Sequence, residues 1–215
     1  YYRAGSAASK MRPEDLDPSY FSSARVLYVS GITPALSKSC CETVFAALEI
    51  AREYSVTVAF DPNIRLKLWT PDEARRILLA IARQSDMLFP GLDEARMLLE
   101  RPSLSAREAA MALADLTGAK KIAITMGSEG AYLLADGQEY KKGAYSIPVV
   151  DPIGAGDAFV GAFLASWLKG KTDAECLDVG CAAGALAVTV EGDYEALPDW
   201  SQVDSLRCGR KIVAR

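Results

Sequence analysis

Asp151-Pro152-Ile153-Gly154-Ala155-Gly156-Asp157 runs directly into Ala158-Phe159-Val160-Gly161-Ala162-Phe163-Leu164-Ala165-Ser166-Trp167-Leu168. The first segment reads as a glycine-rich turn. The second is small and apolar with helical spacing, so the turn opens onto a helix. The first N–H groups of a helix have no partner inside it, and the helix dipole makes that end positive, so an anion is favoured there. Gly154 and Gly156 let the backbone approach that anion with no Cβ in the way. A carboxylate such as Asp157 beside a phosphate site is electrostatically costly, and it becomes useful where a proton must be taken from a group attacking the phosphorus. The turn therefore points to phosphoryl transfer onto a hydroxyl. A bare turn of this kind also occurs in α/β proteins where the aspartate only supports a first helical turn. Two familiar nucleotide motifs are excluded. Phe159 stands where a dinucleotide fingerprint needs its third glycine, and no G-x-x-x-x-G-K-[ST] occurs in the chain.

Working outward from the turn, β-rich runs alternate with helices. Val26–Ser30, Val56–Phe60, Met87–Phe89 and Lys121–Met126 read as strands. The S/T-x-x-E pattern at Ser39…Glu42, Thr70…Glu73, Ser105…Glu108 and Thr172…Glu175 predicts capped helix starts, with Pro71 at the first position of one of them. Ala131–Ala135 and Tyr140–Ile147 read as two further strands about an Asp136-Gly137 hairpin turn. The helix after Gly156 is followed by another from about residue 172 to 188. Alternation of this kind predicts an α/β protein, a doubly wound and mainly parallel sheet with helices on both faces, in one domain over residues 1–215. Ligands in such sheets gather at the carboxyl ends of the strands. Asp61-Pro62-Asn63-Ile64-Arg65, Pro90-Gly91-Leu92-Asp93-Glu94 and Gly127-Ser128-Glu129-Gly130 all fall there, on the edge that the Gly154–Asp157 turn shares.

Composition narrows the chemistry. The 215 residues are 50% hydrophobic, enough to bury a core, and the net charge of −4 offers no basic stripe for nucleic acid. No apolar run reaches membrane-spanning length. Histidine is absent, so any proton transfer falls to a carboxylate, Lys, Tyr or Cys. Five cysteines without C-x-x-C spacing predict reduced thiols in a cytoplasmic protein.

Two segments carry a family resemblance. Asp151-Pro-Ile-Gly-Ala-Gly-Asp157 is similar to the D-T-x-G-A-G-D signature of the ribokinase-like (PfkB) carbohydrate kinases, with Pro152 in place of Thr. Thr125-Met-Gly127-Ser-Glu-Gly130 resembles their T-x-G-x-x-G nucleotide loop. Within that family the segments 1–9, 31–36, 60–69 and 192–198 are most similar to the 2-keto-3-deoxygluconate kinases. The resemblance implies ATP-dependent phosphorylation of a primary hydroxyl of that sugar acid. Asp157 is then the base, and the N–H groups of Gly154, Ala155 and Gly156 form the anion hole. Thr125, Gly127 and Gly130 line the nucleotide's path together with Gly154 and Gly156, with Cys181 near the adenine. Glu94 holds Mg²⁺ through water, and Gly91 replaces an asparagine found in many relatives, which excludes direct metal contact from that position.

The same resemblance assigns Tyr1, Arg3, Arg65 and Asp193 to the sugar acid. An arginine fork suits its carboxylate. ATP and Mg²⁺ are the implied cofactors, with room for a monovalent cation, and the implied partners are small molecules or a second copy of the chain. The family's first strands, its small β-lid and a glycine-rich substrate contact have no counterpart in these residues. Residues 1–9 read as a remnant of the lid or substrate strand, and activity of the 215-residue chain alone is therefore in question. A kinase for another sugar, or a nucleotide-binding fragment without activity, stays open.

Overall fold

The computed structural model describes residues 5–192, 194–195 and 197–210. Contacts cluster into two compact units, Tyr1–Ile124 and Thr125–Arg215. In chain order the first holds α1 (Pro18–Phe21), β1 (Val26–Ser30), α2 (Ile32–Leu36), α3 (Lys38–Glu53), β2 (Thr57–Asp61), α4 (Pro71–Ala82), β3 (Met87–Leu88), α5 (Leu92–Leu99), α6 (Ala106–Thr117) and β4 (Lys121–Thr125). β1, β2, β3 and β4 pair side by side in that order, all parallel, with Val29 opposite Phe60, Phe60 opposite Leu88 and Leu88 opposite Ile122. Parallel strands covered by helices read as near-continuous apolar runs. Val58-Ala59-Phe60 and Ile122-Ala123-Ile124 are buried throughout, together with Leu48, Leu78, Ile81, Leu98 and Leu113 from the helices.

The second unit holds β5 (Ala131–Ala135), β6 (Gln138–Lys142), α7 (Ala155–Leu168), α8 (Asp173–Ala187) and α9 (Trp200–Arg207). β5 and β6 pair antiparallel, with Ala135 opposite Gln138. Asp136 and Gly137 between them both take left-handed φ, +49° and +81°, as a two-residue hairpin turn demands. α7 and α8 pack closely because α8 presents glycines. A Cβ on Gly180 would lie 2.9 Å from the Phe159 ring, and one on Gly184 would lie 3.0 Å from the Ala155 carbonyl oxygen. Val179, Ala182, Ala183 and Leu186 of α8 then bury against Val203 of α9, flanked by Tyr145 and Trp200.

Local sequence signals hold in part. Ser105 and Thr172 each accept from the N–H three residues on, and Glu108 and Glu175 return the bond, completing two capping boxes. A cap of this type contributes about 1 kcal/mol. Thr70 caps α4 by accepting from the Glu73 N–H, with Pro71 at the first position. Ser39 does not cap. α3 begins earlier, at Lys38, and the extended Ser37 accepts from the Cys40 N–H (3.1 Å). Inside the helix, the Ser39 carbonyl takes the Thr43 hydroxyl. Further caps fall outside the S/T-x-x-E pattern: Asp17 on α1, accepting from the Ser19 N–H, Asp199 with Gln202 on α9, and the Glu94 side chain returning to the Gly91 N–H on α5.

Strand bounds shift as well. β2 runs one residue later than expected, β3 and β4 each stop one residue earlier, and β6 ends at Lys142 rather than Ile147. Pairing with the five residues of β5 sets that limit. At the front, residues 8–10 form one 3₁₀ turn.

Candidate active site

In the second unit, the turn before α7 is built by Asp151. Its Oδ1 accepts from the Ile153 N–H (3.0 Å) and its Oδ2 from the Gly192 N–H (3.2 Å), while the Val150 and Asp151 N–H groups both donate to the Val188 carbonyl at the end of α8. The turn is thereby tied to the close of the neighbouring helix. Gly154 follows as the N-cap at φ +80°, a conformation that favours glycine. Ala158 is the first residue whose N–H closes a helical bond, to the Gly154 carbonyl (2.9 Å), so the amides of Ala155, Gly156 and Asp157 have no acceptor within the helix. A Cβ placed on Gly156 would meet nothing within 4 Å. Free donors at a helix start, with open space beside Gly156, make a place where an anion is favoured.

Asp157 is exposed on the first turn of α7 and has no hydrogen-bond partner among the described residues. It edges a cavity of about 590 Å³, otherwise mostly apolar, that includes Gly161, Ala165, Val179, Tyr194 and Trp200. A solvent-facing carboxylate without partners has its lone pairs available to take a proton.

Thr125 ends β4, and Gly127 (φ +55°) opens a single 3₁₀ turn that Gly130 (φ +96°) closes. The two glycines serve different needs. Space beside Gly127 is open, whereas a Cβ on Gly130 would collide with the Lys142 carbonyl and crowd Gly143 and Ala144. Gly130 is therefore fixed by the approach of its own backbone to the end of β6.

Cys181 lies buried in α8, and burial, helped by the nearby Asp178 charge, pushes its thiol up to about 12. It stays protonated and offers an apolar contact. One helical turn earlier is a cluster that no sequence motif marked. Asp178 accepts from Lys142 Nζ, Tyr145 OH and Arg207 Nε, each at 2.6 Å, which joins β6, the segment after it, α8 and α9. Arg207 also reaches Asp204 (3.1 Å).

In the first unit, the carboxyl end of β2 leads into Asp61–Arg65. Asp61 is buried and its Oδ1 accepts from the Asn63 N–H (2.9 Å), while the Asp61 carbonyl accepts from the Gly31 N–H (2.8 Å). Asn63 takes φ +38° and donates its amide to Ser30 Oγ (3.2 Å). Glu94, on the first turn of α5, accepts from the Ile64 N–H through Oε1 (2.7 Å) and from the Gly91 N–H through Oε2 (2.9 Å). Arg65 is exposed. Among the described residues its guanidinium reaches only the Ile64 carbonyl (3.2 Å), and it forms no ion pair with Asp61. The structure thus brings Arg65 and Glu94 to one loop system. It brings Gly154, Ala155, Gly156 and Asp157 to one helix start. Tyr1, Arg3 and Asp193 lie outside the described residues.

Comparison with known proteins decides the lineage. The profile of the pfkB family of carbohydrate kinases matches residues 1–200. This chain belongs to the pfkB carbohydrate kinase family. Among curated pfkB relatives, a 2-dehydro-3-deoxygluconokinase of Thermoproteus tenax is 39% identical over 209 residues, covering 96% of this chain and 62% of the relative. A 2-dehydro-3-deoxygalactonokinase of Haloferax volcanii is 37% identical, covering 93% and 63%. The solved 2-dehydro-3-deoxygluconokinase of Thermotoga maritima superposes with a TM-score of 0.88 at 28% identity, over 96% of this chain and 67% of that one. The chain has an α/β, ribokinase-like fold. It spans 62–65% of the length of the first curated relatives it matches. Among the described residues no helix is long and apolar enough to cross a membrane.

Proposed function

We propose that this protein is an ATP-dependent kinase acting on a primary hydroxyl of 2-keto-3-deoxygluconate (the 2-dehydro-3-deoxygluconate of its relatives' names), with residues 1–215 forming part of a single cytoplasmic kinase domain. The observation that carries the reading is the start of α7, where the amides of Ala155, Gly156 and Asp157 lack helical acceptors, the space beside Gly156 is open and the Asp157 carboxylate is exposed. As the acceptor oxygen attacks phosphorus, Asp157 takes the hydroxyl proton. The Gly154-Ala155-Gly156 amides meet the charge on the transferring group. Phosphoryl transfer asks a protein mainly for positioning and charge neutralisation, which a cradle and one base supply.

Thr125 and Gly127 border the nucleotide's path in this scheme, and Cys181 gives the adenine an apolar wall. Mg²⁺, when bound, neutralises charge on the triphosphate. Among the described residues no group of three or more His, Cys, Asp or Glu could hold a metal. The Glu94 carboxylate keeps lone pairs free after its two backbone bonds and fits a water-mediated contact. Arg65, exposed and without an acidic partner among the described residues, receives the substrate carboxylate, joined by Tyr1, Arg3 and Asp193.

A coupled ADP-release assay tests the reading with 2-keto-3-deoxygluconate, its galactonate epimer, ribose and fructose, with and without K⁺. Turnover of the sugar acids is expected, and turnover confined to neutral sugars would overturn the assignment. ADP binding with no product from any acceptor would instead select a nucleotide-binding module without turnover. Light scattering on the same sample reads whether the protein self-associates.

A further inference from the structure

We propose that Glu94 is a positioning residue for the acceptor site, one whose carboxylate sets the loop that presents Arg65; this rests on the function proposed above. The Asp61–Arg65 loop is pinned at successive residues. Asp61 Oδ1 holds the Asn63 N–H, the Asn63 amide holds Ser30 Oγ, and Glu94 Oε1 holds the Ile64 N–H, the peptide just before Arg65. Asn63 sits at φ +38°, a conformation that costs energy outside glycine and persists only where the surroundings impose it. Gly31 closes the other side, since a Cβ there would strike the Pro62 carbonyl oxygen.

Of these pins Glu94 acts on the residue next to Arg65, from thirty residues on in sequence and from a different element. Its second oxygen holds the Gly91 N–H at the start of α5, so the carboxylate clamps helix start and loop together. Both bonds are charge-assisted, the stronger class of hydrogen bond. Beyond Ile64 nothing comparable among the described residues restrains the exposed Arg65 side chain. The clamp therefore sets where its guanidinium begins, and an arginine fork recognises a carboxylate only from a narrow range of positions.

The test is calorimetric titration of 2-keto-3-deoxygluconate into the protein with EDTA present and nucleotide absent, for wild type, Glu94→Gln and Ser30→Ala. The amide retains one acceptor and forfeits one charge-assisted bond, so Glu94→Gln is expected to weaken sugar-acid binding about tenfold. ADP affinity measured in EDTA should not move, a split that a general loss of structure would not produce. Ser30→Ala removes the neighbouring pin and should weaken the sugar acid about threefold. It also keeps the test decisive if Glu94→Gln does not fold. Unchanged sugar-acid affinity in metal-free Glu94→Gln, with loss of turnover only when Mg²⁺ is limiting, would overturn the proposal and leave Glu94 a metal contact alone. Failure of the wild type to bind the sugar acid would instead overturn the function itself, and this inference with it.

Discussion

Asp157 and Arg65 are both exposed and both lack an oppositely charged partner among the described residues, yet the chemistry asked of them differs. A base acts only as the bond forms. Asp157→Asn should therefore leave ADP affinity near wild type and lower turnover by about 10²–10⁴, the usual contribution of a positioned base. Single-turnover kinetics with saturating ATP measure this, and a near-normal rate would remove Asp157 from the chemistry. In the proposed function Arg65 acts in the ground state. Arg65→Ala should raise KM for the sugar acid about ten- to a hundredfold with little change in KM for ATP. Equal change in both would mark Arg65 as part of the loop's own framework. Gly127 and Gly130 give a second contrast. Alanine at Gly127 faces only an unfavourable φ, costing about 1 kcal/mol, while alanine at Gly130 meets the Lys142 backbone as well and should cost several-fold more. Thermal melts of the two variants should separate accordingly.

At the scale of elements, the Asp178 cluster joins more of the second unit than any other polar group described. Burial alone would raise the Asp178 carboxyl, but hydrogen bonds from Lys142, Tyr145 and Arg207 outweigh it and hold it below its ordinary value. Asp178→Asn leaves two cations without their shared anion and should cost about 1–3 kcal/mol at pH 7. A carboxyl held low in the folded state contributes fully above its unfolded value, about 3.9, and loses that contribution as pH falls through the folded value. The Tm gap between wild type and Asp178→Asn should therefore be constant near neutrality and narrow below about pH 4. A gap that grew on acidification would reverse the assignment. This cluster also shows what the sequence could and could not reveal. Ser105 with Glu108 and Thr172 with Glu175 were legible because donor and acceptor sit three residues apart. Gly154 to Asp157 was legible because glycine spacing carries the turn. Ser37 was passed over for Ser39 because either residue can cap, and only the start of α3 chooses between them. Asp178 meets Lys142 and Arg207 from 36 and 29 positions away, and Glu94 meets Ile64 from 30, with no periodicity to announce either. Such pairs are decided by which elements pack together.

Across the whole molecule, the two compact units differ in how far apart in sequence their paired strands lie. β1 to β2, β2 to β3 and β3 to β4 each pair residues roughly thirty positions apart, since a parallel pair needs a crossover between its strands. β5 and β6 pair across a two-residue turn, with Ala135 directly opposite Gln138. Chain closure over so short a span is quick, on the order of microseconds, whereas distant pairings wait for the loops between them to close. That one tight turn therefore orders events in time. In refolding from denaturant, pulsed hydrogen exchange should find the amides of Leu133 and Tyr140 shielded before those of Phe60 and Leu88. Simultaneous shielding of all four would mean that the chain condenses as one nucleus, with the hairpin giving it no head start.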